Sequence, residues 1–207
     1  MELQLQIEQL FKSVATSEFE ALKAIPPMQR RRLSPLAKLA LNSALNLLQY
    51  HQVDYIVWAS QFGDEEKTLN ILKDILQGEF PSPTQFSTSV HNAIAGLYSI
   101  LKKDDTISTS LSATWSEAII EEYAFLKTHS ARKALVVYYD FPIPHVYTDL
   151  TSFEAFSLAG IISLDQPNLS LNLEKIAKLD HDQDAIDFEN FWNNPELKHS
   201  RQGVWQR

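Results

Sequence analysis

The 207-residue chain contains no cysteine. Disulfides, thiolate metal sites and cysteine nucleophiles are therefore excluded. Glycine is sparse, with only Gly63, Gly78, Gly96, Gly160 and Gly203. None lies in a phosphate-cradling loop, so neither a P-loop nor a dinucleotide fingerprint is present. No G-x-S-x-G elbow occurs, which disfavours a serine hydrolase of that kind. The histidines form no H-x-x-x-H or H-E-x-x-H pair, so no metal site and no cofactor are expected. No apolar run approaches the roughly 18 residues that a membrane-spanning helix needs. The opening MELQLQIEQL lacks a basic-then-apolar leader pattern, and a cytoplasmic location is expected. Positive charge is in deficit: 18 Lys and Arg against 26 Asp and Glu, a net charge of -8. That disfavours nucleic acid and anionic membranes as main partners, because both need a basic face.

What is present reads as one folded domain. Hydrophobic residues make up 44% and charged residues 21%, enough for a core without signs of disorder. The domain is expected over residues 1–195, with a polar, loose tail over 196–207 apart from Val204 and Trp205. Leu3, Leu5 and Ile7 alternate as in a strand. Ser34-Pro35 reads as an N-cap followed by the first position of a helix over 35–50. The run VDYIVWA (53–59) reads as a buried parallel strand. Asp64, Glu65 and Glu66 mark a helix start. Leu69, Leu72, Ile75 and Leu76 are predicted to form its inner face, with Gly78 as C-cap. A helix over 91–102 and a short strand over 106–110 follow. Thr114 and Glu117 have capping-box spacing at the head of a helix running to about 127. ALVVYY (134–139) is a further buried strand. Strands are predicted over 156–164 and 169–176, and a last helix over 182–192. This alternation implies an α/β layer fold with a largely parallel sheet.

Three groups of residues are candidates for function. The segment 86–100 joins a Ser/Thr-rich loop to a helix of small and apolar residues, with His91 and Asn92 at the joint. That pair suits a polar contact at a pocket or partner, or simply a helix cap and a satisfied histidine. Arg30, Arg31 and Arg32 suit an acidic carrier or a phosphate, or form a solvated helix approach. The run Asp180-His-Asp-Gln-Asp184 suits a cation, or is a solvated acidic loop leading into a helix.

Four blocks together carry a resemblance. They are Pro26-Pro-Met-Gln-Arg-Arg-Arg-Leu-Ser34, Ile56-Val-Trp-Ala-Ser-Gln-Phe-Gly63, Ser82-Pro-Thr-Gln-Phe-Ser-Thr-Ser-Val-His-Asn92 and Tyr139-Asp-Phe-Pro-Ile-Pro144. In this order, across roughly residues 20–165, they resemble the β-ketoacyl synthase-like N-terminal family. Its members include chain-length factors of type II polyketide systems, notably those making aryl polyene pigments in Gram-negative bacteria. The resemblance implies a thiolase-like half fold: a mostly parallel five-stranded sheet with helices on both faces. It places Ser112 at the position of the condensing cysteine, a degenerate nucleophile position. With neither that cysteine nor the second half of the fold, a non-catalytic subunit is expected. The implied partner is a full-length ketosynthase in a heterodimer, with the acyl carrier protein reached through the complex. Phe86, Ser89, His91, Asn92, Thr109, Ser110 and Thr114 are the expected tunnel or partner-interface residues. Arg30, Arg31 and Arg32 are the possible carrier contacts. Two other functions stay open. One is an acyl-thioester transferase or hydrolase using Ser112 with His91 or His145. The other is a stand-alone carrier-binding scaffold.

Overall fold

Strand β2 (Tyr55–Ser60) is buried at every residue, because it runs inside the sheet with helices over both faces. The structure is a computed structural model that describes residues 1–147 and 153–207. The remaining strands are β1 (Glu2–Val14), β3 (Ile107–Ser112), β4 (Lys133–Asp140), β5 (Phe156–Ser163), β6 (Leu169–Asn172) and β7 (Trp205–Gln206). They form one seven-stranded sheet in the order β3-β2-β4-β5-β1-β6-β7. β2 pairs in parallel with β3 and β4, whereas β4–β5, β5–β1, β1–β6 and β6–β7 are antiparallel.

The α/β class is as the sequence implies, and the count and direction of strands are corrected. Seven strands replace five, and parallel pairing is confined to β3, β2 and β4. The reason is β5, which returns beside β4 in register from Lys133↔Ser163 to Asp140↔Phe156 and starts an antiparallel half. Long β1 serves two neighbours. Residues 2–5 pair with β6 and residues 6–14 with β5, with an irregularity between Ile7 and Gln9. The strand predicted over 169–176 is β6 followed by a short helix, α7 (Leu173–Ile176).

After the short α1 (Pro27–Arg30), α2 (Pro35–Leu48) covers one sheet face. Ser34 accepts the Ala37 N–H at 3.2 Å and Pro35 fits the first turn. Leu36, Leu41, Leu45 and Leu47 then pack with Ile56, Trp58, Leu135, Val137 and Ile161. The other face carries α6 (Trp115–Thr128), headed by a complete Thr114–Glu117 capping box. Trp115 lies so close over β5 that a Cβ on Gly160 would sit 3.2 Å from the indole. Helix α8 (Asp184–Asn193) and the C-terminal segment close this side. Phe188 stacks on Trp115 at 5.0 Å and meets Trp205 at 4.7 Å. The tail is therefore not loose: Val204 and Trp205 are buried, and Arg207 bonds the carbonyls of Phe191, Trp192, Asn194 and Leu197.

Helix α3 (Glu65–Leu76) has the predicted start, with Asp64 accepting the Lys67 N–H at 3.3 Å, and the predicted stop, Gly78 at φ +81°. Its apolar face is not inner. Only Ile71 is buried, and Leu72, Ile75 and Leu76 are exposed. Helical periodicity defines a face but not a neighbour, and the outer part of this face is left in water. The short α4 (Pro83–Ser87) and α5 (Ala93–Lys102) continue this side of the molecule to the β3 edge.

Candidate functional site

The three parallel strands end together, the usual location of a site in an α/β sheet. Ser60 ends β2, Asp140 ends β4, and Ser112 ends β3 directly opposite Ser60. Asp140 is buried and organises this corner. Its carboxylate accepts the Ser60 hydroxyl at 2.6 Å, the Tyr138 hydroxyl at 2.5 Å, and the N–H groups of Gln61 and Phe62 at 3.1 and 3.2 Å. Burial raises its pKa, and these four bonds pull the other way. Burial and the neighbouring Asp140 charge likewise push the Tyr138 phenol up.

Gln61 lies at the centre of the turn. Its side-chain amide donates to the Tyr138 hydroxyl at 3.0 Å and to the His181 carbonyl at 3.1 Å. Its own carbonyl accepts the Ser112 hydroxyl at 3.2 Å. Ser112 is exposed, and its bonded partner is a backbone carbonyl rather than a histidine or carboxylate. Among the described residues the bonded partner of this weakly acidic hydroxyl is thus a group that cannot take its proton. Thr114, two residues on, is fully buried and caps α6. Asp184 at the head of α8 is also buried and accepts the Ser116 N–H and hydroxyl at 2.7 and 2.6 Å. Burial pushes its carboxyl up, against the opposing bonds from Ser116 and Thr114.

Thr109 and Ser110 sit half-buried on β3, which among the described residues pairs with β2 alone. Phe86 on α4 is 62% exposed. Ser89 donates to the Phe86 carbonyl at 2.9 Å, and Asn92 precedes α5 without a side-chain cap bond. His91 packs on the 60–63 turn, where a Cβ on Gly63 would lie 3.4 Å from its Nδ1. The two candidate segments therefore meet at the turn that holds Ser112. His91 Nε2 and the Tyr139 hydroxyl are buried without protein partners, and both residues line a void of about 20 Å³. That is room for one water.

The basic run divides. Arg30 and Arg31 line an open groove of about 420 Å³ with Lys23, Lys38, Phe19 and Leu22, and Arg32 lies outside it. No acid occurs between Glu20 and Asp54, so this surface is cationic in an anionic chain. Among the described residues no cluster of three or more His, Asp or Glu side chains is arranged to hold a metal ion. No helix there is long and apolar enough to cross a membrane.

The sequence assigns no role to Asp140 or Gln61, which stand only inside the family blocks, and offers Asp184 only as the end of a run suited to a cation or to solvent. A faint signal for Asp140 existed, an acid ending an otherwise apolar strand. Asp184 was hidden in an acidic run that reads as solvated.

A parallel strand trio with its polar corner, continued by an antiparallel return, is the thiolase-like half fold. The chain belongs to the family described as beta-ketoacyl synthase, N-terminal domain, which matches residues 5–200. It is similar to a chain of the solved complex of a ketosynthase (ApeO) with its chain length factor (ApeC) from Xenorhabdus doucetiae. That match has a TM-score of 0.81 and 26% identity, and covers 99% of this chain and 100% of that one. A 3-oxoacyl-[acyl-carrier-protein] synthase III from Aquifex aeolicus VF5 matches with a TM-score of 0.46 and 14% identity, over 81% of this chain and 56% of that one. The corresponding synthase from Pseudomonas aeruginosa PAO1 matches with a TM-score of 0.45 and 15% identity, over 78% and 50%. The chain thus spans about half the length of these two synthases. No curated protein sequence matches it.

Proposed function

We propose that this chain is the non-catalytic chain-length-factor subunit of a cytoplasmic β-ketoacyl synthase complex. It pairs with a full-length ketosynthase and shapes the acyl tunnel during aryl polyene or fatty-acid-like elongation. The observation that carries this reading is the unfinished side of the molecule. Among the described residues β3 has no partner on its outer edge, and an unpaired edge strand is a template for another chain. On the connection from β2 to β3, Leu72, Leu76, Phe80, Phe86 and Ile100 are exposed, as is Ile107 on β3 itself, with Phe80 at 95% and Leu76 at 86%. Large apolar side chains left in water in such number suit a protein interface. The end-to-end likeness to a chain of a ketosynthase–chain-length-factor complex supports a ketosynthase as the occupant.

In this reading Thr109, Ser110 and Ser112 lie along the shared edge. Phe86, Ser89, His91 and Asn92 approach the tunnel from the neighbouring loop. Thr114 supports the corner from below as a cap. The lack of cysteine and the carbonyl-bound Ser112 hydroxyl support a subunit without condensing chemistry. The groove of Arg30, Arg31, Lys23 and Lys38 supports a contact to an acidic acyl carrier, most of whose docking falls to the partner. The same groove is the observation that favours the second reading, a carrier-binding scaffold.

Purification of the tagged chain from its native cell, followed by an elongation assay, tests the proposal. A near-stoichiometric ketosynthase whose product length changes with Phe86→Ala is the expected result. A chain that purifies alone, or one that cleaves acyl thioesters until Ser112→Ala removes the activity, overturns it.

A further inference from the structure

The inner face of α6 carries one residue that does not belong in an apolar core. Trp115, Ala118, Ile119 and Leu126 recur at helical spacing on that face, and Glu122 falls among them. Glu122 has no exposed surface, and among the described residues neither carboxyl oxygen has a hydrogen-bond partner. The neighbouring ionisable groups are engaged elsewhere. On β2, Tyr55 donates to Glu121 at 2.9 Å. On β4, Tyr138 is bonded to Asp140, and Lys133 to Glu8 at 2.6 Å. On α8, Asp184 is bonded to Ser116, Asp187 to the N–H groups of Arg201 and Gln202, and Glu189 to Lys12. On α6 itself, Lys127 lies over the Tyr123 ring and His129 stacks on Phe125. No ion pair reaches Glu122 among the described residues.

An isolated carboxylate in such a site is far costlier than a neutral carboxyl group. We propose that Glu122 is carried as the neutral acid in the folded chain, so that folding takes up a proton there and the α6–sheet contact weakens as pH rises. Burial, with the Glu121 charge adding to it, raises this carboxyl well above its ordinary value of 4.5. The sign follows from that direction. A folded-state value above the unfolded one gives a contribution fully present below the ordinary value and lost as pH climbs through the folded one. Helix α6 starts from the Thr114 cap, two residues after Ser112, so the protonation state of Glu122 bears on the packing behind that corner.

Equilibrium denaturation of the full chain from about pH 5 to about pH 9 tests this in wild type, Glu122→Gln and Glu122→Leu. Relative to either variant, the wild-type folding constant is expected to fall by up to about tenfold per pH unit. Parallel pH curves overturn the proposal. If neither variant folds, infrared spectroscopy of the wild type decides. A protonated, non-hydrogen-bonded carboxyl band present at neutral pH and lost on unfolding supports it, and absence of that band overturns it.

Discussion

The two edges of the sheet are finished in opposite ways. At one end β7 is only two residues long, pairs with β6 and buries Trp205 against Phe188. Arg207 then caps the carboxyl end of α8 and lies 4.1 Å over the Phe191 ring. A short, covered edge strand with a cation beside it offers nothing to a second chain. At the other end β3 runs six residues with no partner on its outer side among the described residues, and on the same β2–β3 connection α3 leaves Leu72, Ile75 and Leu76 exposed. One chain therefore closes one edge with its own aromatic residues and leaves the other open. An apolar surface is a folding device at the first edge and, in the proposed reading, an assembly device at the second.

Substitutions can break this contrast. Trp205→Ala should cost the isolated chain about 3–5 kcal/mol, because the cavity opens inside the Trp115–Phe188–Trp205 cluster. Chemical denaturation reads this directly, and a loss below about 1 kcal/mol would mean that the tail is not part of the core. Asp140→Ala should cost about 3 kcal/mol in the same measurement, since two hydroxyls and two N–H groups lose their acceptor. Removing the Arg207 side chain should cost about 1 kcal/mol, readable as a lowered melting temperature. The combined Leu76→Asp and Phe80→Asp change should leave chain stability within about 0.5 kcal/mol, because both side chains already lie in water. The same pair should abolish co-purification with a ketosynthase, and retention of the complex would sink the assignment of that surface. Ser112→Ala should do least, with stability unchanged within about 0.5 kcal/mol and elongation by the complex retained.

The sequence made one of these edges more legible than the other. Continuous apolar runs identify β2 and β4, and the caps at Ser34, Asp64 and Thr114 locate three helices to within a residue or two. Strand direction was not legible: a strand buried along its whole length, such as β5, reads alike in parallel and antiparallel pairing, and its partner is set by the tertiary path. The outward turn of α3 was hidden for a related reason, because a stripe of leucines carries no label for what covers it. Val204 and Trp205 stand out from a polar tail in the sequence, but nothing there says where the indole goes. At the candidate site, Ser112 entered only through family resemblance. Asp140 and Asp184 look like ordinary surface acids until the fold brings four donors to one and Ser116 to the other.

The parallel ladder between β2 and β3 has a further consequence. Along β3, successive backbone N–H groups point alternately toward β2 and away from it. Amide hydrogen exchange in the free chain should therefore show a slow–fast alternation from Ile107 to Ser112, with the fast positions open to water. A strand laid against that edge would slow the fast set and leave the slow set unchanged. The backbone thus carries its own gauge of assembly, readable residue by residue without any label.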